Sequence, residues 1–466
     1  MLFPDQEVPG GAPIEARRLV RAWVFLATVL LAAAGLLVIP AALGAAAGKE
    51  VLAAPAVVRT LVGHVFFSLV LGSTAFVVVL MMQAALWLEA ARLPRLPGWI
   101  GLWLAVAGAV LAAGGSVGTW GQPVLTEFVP VVVEPAFLSG FALFMAGVAL
   151  TTGGFIYAVA VSQTARMALP PFGMLCAAAM LVATGLAGVA SITRLFGDWF
   201  AFQLAWRTPA VLFQAIFWGP AHLIQAAVLG ALVVAWLLLL PRPGLGRGAE
   251  TLGRLGLIAL VLVAAATLVA LYALDPLALP GMAALNIAIS DAQVLPVLIL
   301  AVVILRARFR ADGRGGSPAL GLSIALFALG VGIAVAGVTQ PSLAWVPAHY
   351  QALIPGAVLV AFMGVTTELL PWLGGRAPSR RLAAIHAYLY GGGIALVSLA
   401  MLWAALGGGE RRGYFVTVTA AGPAALLWLG GLGAGLGLAG FAASVLKSLL
   451  GGVRLPAMAG GSAQPC

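Results

Sequence analysis

Apolar residues run along this chain in long, nearly unbroken stretches, each closed by a short polar or basic break. A stretch of about 20 residues marks a helix that crosses a membrane, because helical rise carries that length across the hydrocarbon core of about 30 Å. Twelve such stretches are read, near 20–46, 56–91, 98–115, 133–161, 172–196, 208–240, 252–274, 283–306, 318–338, 346–372, 382–406 and 416–449. Lipid offers no partner to backbone amides and carbonyls, so each stretch must close its hydrogen bonds within itself, as an α-helix does. The pattern predicts an all-α, integral membrane twelve-helix bundle in which residues 1–466 form a single transmembrane domain. Residues 1–19 and 450–466 read as cytoplasmic end segments.

The breaks set the orientation. Cytoplasmic loops carry the excess of Lys and Arg. With twelve spans, one set of loops holds 18 of the 24 basic residues, and the other holds only Lys49, Arg59, Arg194, Arg207, Arg411 and Arg412. The first set, with both chain ends, is therefore expected on the cytoplasmic side, in the plasma (inner) membrane of a prokaryote. Composition agrees: 63% of residues are hydrophobic and 8% charged, against roughly 25% charged in soluble domains. The net charge of +10 does not point to nucleic acid, since the basic residues are spread over short loops; the expected surroundings are membrane lipid. Cys176 and Cys466 give no disulfide or metal spacing. Arg17, Arg18 and Arg21 lead into the first apolar run without a small-residue processing site, so no cleavable signal is expected.

Ionisable groups inside lipid are costly and mark function by default. The chain has four histidines, His64, His222, His349 and His386. On the predicted topology His64 and His349 lie a turn or two inside the outer face, His222 lies deeper, and Arg411 and Arg412 occupy the outer loop before the last span. An imidazole in an apolar bundle is a good axial ligand for haem iron, and paired arginines suit propionates. Position alone leaves the plainer alternative ahead, a helix–helix hydrogen bond.

Three motifs change that balance. Trp345-Val346-Pro347-Ala348-His349-Tyr350-Gln351, running on to Leu370-Pro371-Trp372-Leu373-Gly374, resembles helix 10 of haem–copper oxidase subunit I, in the B-type manner. Arg381-Leu382, Leu402-Trp403-Ala404 and Arg411-Arg412-Gly413-Tyr414 resemble the following helix and its propionate-binding arginine pair. Phe217-Trp218-Gly219-Pro220-Ala221-His222 resembles helix 6, and Gly63-His64-Val65 the low-spin haem segment of helix 2. The resemblance implies that His349 binds a high-spin haem and His64 a low-spin haem. It further implies that His222 is one of three copper ligands, and that Arg411 and Arg412 hold propionates.

The sequence also departs from that family. Gln351 stands where the family has the second histidine of its His-x-His, and residues two apart on a helix point about 200° apart. His349 therefore cannot serve both haems, and Gln351 offers only a weakly donating amide. Counting back from Asp275-Pro276 puts Ala270 and Leu271 at the family's adjacent histidine pair. One histidine, His222, cannot hold copper, which needs three or more protein ligands. Ala226 stands where oxidases of the family carry an active-site tyrosine.

The resulting expectation is a haem-binding subunit that resembles cytochrome c oxidase subunit I, carries one haem or two, and lacks an intact copper site. Its expected role is electron transfer or redox work in a respiratory complex, with a cupredoxin-type or cytochrome c-type partner at the outer face. Two alternatives stay open: an active terminal oxidase or nitric oxide reductase with atypical ligands, and a twelve-helix secondary transporter with a site formed by broken helices. Among smaller signals, His386 reads as a solvated interfacial side chain. Asp291, Ser290 and Asn286 read as polar relay or helix–helix contacts, and Glu127 and Glu134 as outer-face acids.

Overall fold

A computed structural model describes residues 14–47, 55–88, 95–118, 120–126, 129–162, 167–197, 208–241, 245–273, 279–310, 317–340, 343–412, 415–416, 418 and 420–451. The predicted end segments lie largely outside these residues. Among the described residues, twelve helices are long and apolar enough to cross a membrane. They are α1 (Ile14–Ala47), α2 (Pro55–Leu86), α3 (Arg95–Val117), α4 (Pro135–Val161), α5 (Leu169–Gly197) and α6 (Pro209–Leu239). They continue with α7 (Arg247–Ala273), α8 (Leu279–Arg310), α9 (Pro318–Gly337), α10 (Leu343–Leu369), α11 (Arg380–Leu406) and α12 (Ala421–Leu450). The spans match the hydropathy reading to within a few residues, except at the starts of α1, α7 and α12 and the end of α2. Their starts follow local rules. Proline occupies the first turn of α4, α6 and α9, where its fixed φ suits the helix and its missing N–H costs nothing. Glu134 caps α4 by accepting from Phe137 N at 2.8 Å.

Burial divides the twelve into two classes. In α2, α6 and α10, 94%, 83% and 89% of the most apolar stretch is buried, against 50% or less in the other nine. A helix that is apolar all round belongs inside, and these three pack against one another at the centre. Phe76 of α2 stacks edge-on against Phe362 of α10 at 5.0 Å, and Phe362 meets Phe441 of α12 at 5.9 Å. The outer helices turn residues such as Trp103, Leu262 and Leu436 outward, as lipid contact requires.

Two outer helix pairs lock through glycines seven residues apart. A Cβ on Gly101, Gly108 or Gly115 of α3 would strike the α4 N-terminus or backbone, and one on Gly140 or Gly147 of α4 would strike α3. Gly393 of α11 stands in the same relation to Gly430 of α12, while Gly437 meets Tyr390. Small residues let membrane helices approach closely, so dispersion and backbone contacts replace a hydrophobic drive that lipid does not supply.

Short antiparallel strands close two loops at the end of the bundle where α2 and α10 begin. β1 (Gln122–Val124) pairs with β2 (Val131–Val133), and β3 (Arg411–Arg412) with β4 (Phe415–Val416). The opposite end gathers the basic residues that orientation predicted. Arg17 lies over Trp372 at 5.3 Å, Arg21 donates to Leu373 O, and Arg95 pairs with Glu15 at 2.6 Å.

Candidate functional site

His64 ends the first turns of α2, and a π-helical segment, Phe66–Gly72, follows at once. Its Nδ1 lies 2.9 Å from Ala34 O of α1. A carbonyl only accepts, so Nδ1 carries the proton and Nε2 keeps its lone pair. From Leu61 to Leu86 every side chain described is buried except His64 and Leu69. These stand five residues apart, the repeat of a π turn, so the two half-buried side chains share one face of the segment. Hydroxyls steady the segment: Ser68 Oγ donates to His64 O at 2.7 Å, and Thr74 Oγ1 to Val70 O at 2.5 Å.

His349 repeats the arrangement on α10. It lies in the short helix Val346–Gln351, directly before a second π segment, Ala352–Val358. Its Nδ1 lies 2.8 Å from Gly330 O of α9, which fixes the same tautomer. Gly330 makes the approach practicable, since a Cβ there would press on Leu353 and on His349 O. No hydrogen bond engages Nε2 of either histidine among the described residues. The α10 segment is held from two sides. Ser323 Oγ of α9 donates to Ala357 O at 2.7 Å, and Tyr390 Oη of α11 donates to Pro355 O at 2.8 Å. The two π segments touch, so α2 and α10 meet where each is irregular.

Metal-binding histidines ordinarily give their second ring N–H to a carbonyl or carboxylate, which orients the ring. His64 and His349 have that support from a neighbouring helix. His222 differs: its Nδ1 faces Trp218 O of its own helix at 2.7 Å, and its backbone carbonyl accepts from Gln293 Nε2 of α8 at 3.0 Å. The positions expected to hold a histidine pair are filled by packing. Leu271 fits the notch of Gly219, where a Cβ would lie 2.9 Å from Leu271 Cδ2. Ala226 is fully buried. Among the described residues, no three His, Cys, Asp or Glu side chains gather as a metal-holding group.

The arginine pair sits beside His349 in the backbone. β3, which is Arg411–Arg412, touches Leu343–Trp345 at the start of α10, and β4 touches the His349 turn. The side chains of both arginines lie outside the described residues. Trp345, 6.1 Å from the His349 ring, is buried with its Nε1 unpartnered, which leaves a hydrogen-bond donor at the same place. Gln351 is buried on the following turn.

Two expectations change. His386 is not a solvated interfacial side chain: it is buried, with its ring against Gly440 of α12. Arg59, read as part of the outer charge count, is buried in α2. It clamps the end of α3 through Gly115 O at 3.2 Å, Trp120 O at 2.6 Å and Gly121 O at 2.5 Å. Asp291 is exposed on α8 and lies within electrostatic reach of His349. Glu134 serves as a helix cap. Glu127 lies outside the described residues, as does the side chain of Asn286.

No family model and no curated relative matches the chain. Among solved structures the likeness is broad. A haem–copper terminal oxidase, determined as a dimer by cryo-EM, superimposes with a TM-score of 0.73 over 93% of this chain and 84% of that one. The fold is that of a haem–copper terminal oxidase. At 16% identity the likeness is one of fold, and the chemistry rests on this chain's own residues. Within the oxidase fold, the donors fit haem better than a copper centre. Two oriented imidazoles offer Nε2, an orphaned indole N–H stands by one of them, and apolar packing occupies the positions a histidine pair would need. The π segments, the unpartnered Trp345 and the Arg59 clamp were not read from the sequence. Pro355-Gly356, placed just after the helix-10 motif, was the available signal for the second π segment.

Proposed function

We propose that this chain is a haem-binding electron-transfer subunit of a prokaryotic plasma membrane, with haem held between the outer ends of α2 and α10 and without a three-histidine metal centre. The observation that carries the reading is the pairing of His64 and His349. Each is fixed by a carbonyl of a neighbouring helix, stands directly before a π segment, and belongs to a central span. Haem, when bound, supplies reversible one-electron chemistry at iron. His349 and His64 would each give an imidazole lone pair. The carbonyls of Gly330 and Ala34 hold the rings in the donating tautomer. Trp345 Nε1, with Arg411 and Arg412, would hold propionate carboxylates. Close packing of α2, α6 and α10 keeps water from the site. A cupredoxin-type or cytochrome c-type donor at the outer face completes the reading, with both chain ends cytoplasmic.

The test is a reduced-minus-oxidised visible spectrum of the purified chain together with metal analysis. A haem band without stoichiometric copper is expected. His349→Ala and His64→Ala should each abolish or shift it. His386→Ala, a loss of similar size at a buried site near the other end, should leave it in place. A second metal at one per chain with oxygen or nitric oxide turnover would instead establish a working reductase. Absence of any chromophore, or equal spectral loss from all three variants, would remove the proposal.

A further inference from the structure

Three rings join the central spans to α12: Phe76 of α2 meets Phe362 of α10, and Phe362 meets Phe441 of α12. These spans run in the same direction, away from the end that carries His64 and His349. Gln83 and Ser448 follow Phe76 and Phe441 by seven residues. Seven residues return a helix to within about 20° of the same face, about 10 Å further on. Thr366 follows Phe362 by four residues, one turn on. The three side chains thus stand beyond the rings, on the faces that the rings turn toward one another.

A fourth side chain, Trp23, comes from α1, which packs against both α2 and α12 and runs the opposite way. Leu31 of α1 lies at Gly72 of α2, where a Cβ would come within 2.9 Å of Leu31 Cδ2. Gln83 is eleven residues on from Gly72 and Val20 eleven back from Leu31, so Trp23 stands within one turn of the Gln83 level. Eleven residues, three turns, also separate Trp23 from Ala34, whose carbonyl meets His64 of α2, so Trp23 lies on the face of α1 turned to α2. All four side chains are buried. Trp23 Nε1, Gln83 Nε2 and Oε1, Thr366 Oγ1 and Ser448 Oγ have no hydrogen-bond partner among the described residues. Hydroxyls inside a helix commonly turn back onto the carbonyl four residues earlier. Thr367 does so, to Met363 O at 2.8 Å, and its neighbour Thr366 does not. A buried polar group without a partner is costly, and four spans bring such groups to one level.

The atoms select the ligand. Trp23 Nε1 and Gln83 Nε2 only donate, Gln83 Oε1 only accepts, and the two hydroxyls do either. A cation would meet two N–H groups, and an anion would meet the amide oxygen. A neutral molecule that both donates and accepts satisfies all five atoms, and water is the one small enough for a packed interior. We propose that α1, α2, α10 and α12 bind a cluster of ordered water at this level, with Phe76, Phe362 and Phe441 closing it off from the His64 and His349 end. The site is independent of the haem reading.

Radiolysis turns bound water into hydroxyl radical where it lies, and a neighbouring tryptophan reacts readily. The full chain in nanodiscs is irradiated, and oxidation is read residue by residue by mass spectrometry. Trp236 is the internal control, because it is equally buried and its Nε1 is engaged by Ser323 Oγ. In the wild type Trp23 should be oxidised well above Trp236. Gln83→Leu combined with Thr366→Val should bring Trp23 down to the Trp236 level. Thr28→Val, which removes a hydroxyl already bonded to Val24 O, should leave Trp23 as in the wild type. Unchanged helical circular dichroism shows that each variant is folded, and if the double variant does not fold, the wild-type comparison with Trp236 decides alone. Wild-type oxidation of Trp23 no higher than that of Trp236 would overturn the proposal, as would an unchanged signal in the folded double variant or an equal loss in Thr28→Val. So would a thermal midpoint raised by sodium or potassium chloride above choline chloride at equal ionic strength, because the occupant would then be a cation.

Discussion

Replacing Ser323 with alanine separates three spans that share its hydroxyl. Ser323 Oγ on α9 accepts from Trp236 Nε1 of α6 at 2.7 Å and donates to Ala357 O of α10 at 2.7 Å. The side chain is fully buried, as is Trp236, so the variant leaves an indole N–H and a carbonyl without water to replace the lost partner. Hydrogen bonds between membrane helices are worth about 0.6 kcal/mol on average and up to about 1.7, while an orphaned buried polar group costs about 1–3 kcal/mol. Two such losses give about 1–3 kcal/mol in total, because the ring and the carbonyl relax in part. The consequence reaches the site. Ala357 lies in the π segment after His349, and a π turn accommodates one residue more than an α turn. Relaxing it to α would rotate the His349 end against the rest of α10 by about 100°. Ser323→Ala, Ser323→Thr and the wild type are to be compared by equilibrium unfolding in mixed micelles and by the visible spectrum. Alanine should lose about 1–3 kcal/mol and disturb the haem band, and threonine should keep both. A loss for alanine below about 0.5 kcal/mol, the range of ordinary surface changes, with an unaltered band would refute the relay.

Gly337→Ala should displace Trp345, because a Cβ at Gly337 falls on the indole ring; a loss of about 1–3 kcal/mol is expected, checked by near-ultraviolet circular dichroism and thermal melting. Gly147→Leu should open the α3–α4 pair, since that side chain would drive into Gly101 and Ala105; a folded yield equal to wild type would contradict the glycine lock. Ala270→His with Leu271→His should give the chain a second metal beside His222, measured by elemental analysis after purification. No gain of metal would mean that those positions do not face His222.

The membrane architecture was legible because it depends on a quantity summed over about 20 residues at a time, and no single side chain can hide it. Spans such as 318–338 and 382–406 emerged almost to the residue as Pro318–Gly337 and Arg380–Leu406. Candidate site residues could be named only where chemistry is compressed into a short motif, as around His349 and the arginine pair. What escaped the sequence depends on contacts between distant segments. Nothing local to His386 distinguishes a buried imidazole from a solvated one, because the deciding neighbour is Gly440, more than 50 positions away. Arg59 looked like a loop charge because its three carbonyl partners belong to α3 and the turn after it. The second π segment is held by Ser323 and Tyr390, which lie on other helices and leave no trace in its own sequence.

The division of labour in the bundle explains how an oxidase fold stands with leucine and alanine at the positions where a histidine pair was expected. The parts that give the fold its core, α2, α6 and α10, carry His64, His222 and His349, but the rings of His64 and His349 are oriented by α1 and α9, outside that core. Packing and ring orientation are thus set by different contacts. At α6 the same separation allows Leu271 to complete the core against Gly219, where buried apolar area contributes about 25 cal/mol per Å², while a metal ligand there would bring a polar group needing a partner. The end with His64 and His349 keeps the carbonyls that orient both rings, and at α6 the space is closed by Leu271 and Ala226. The proposed electron transfer would need only the first of these; oxygen reduction would need a metal centre at the second as well.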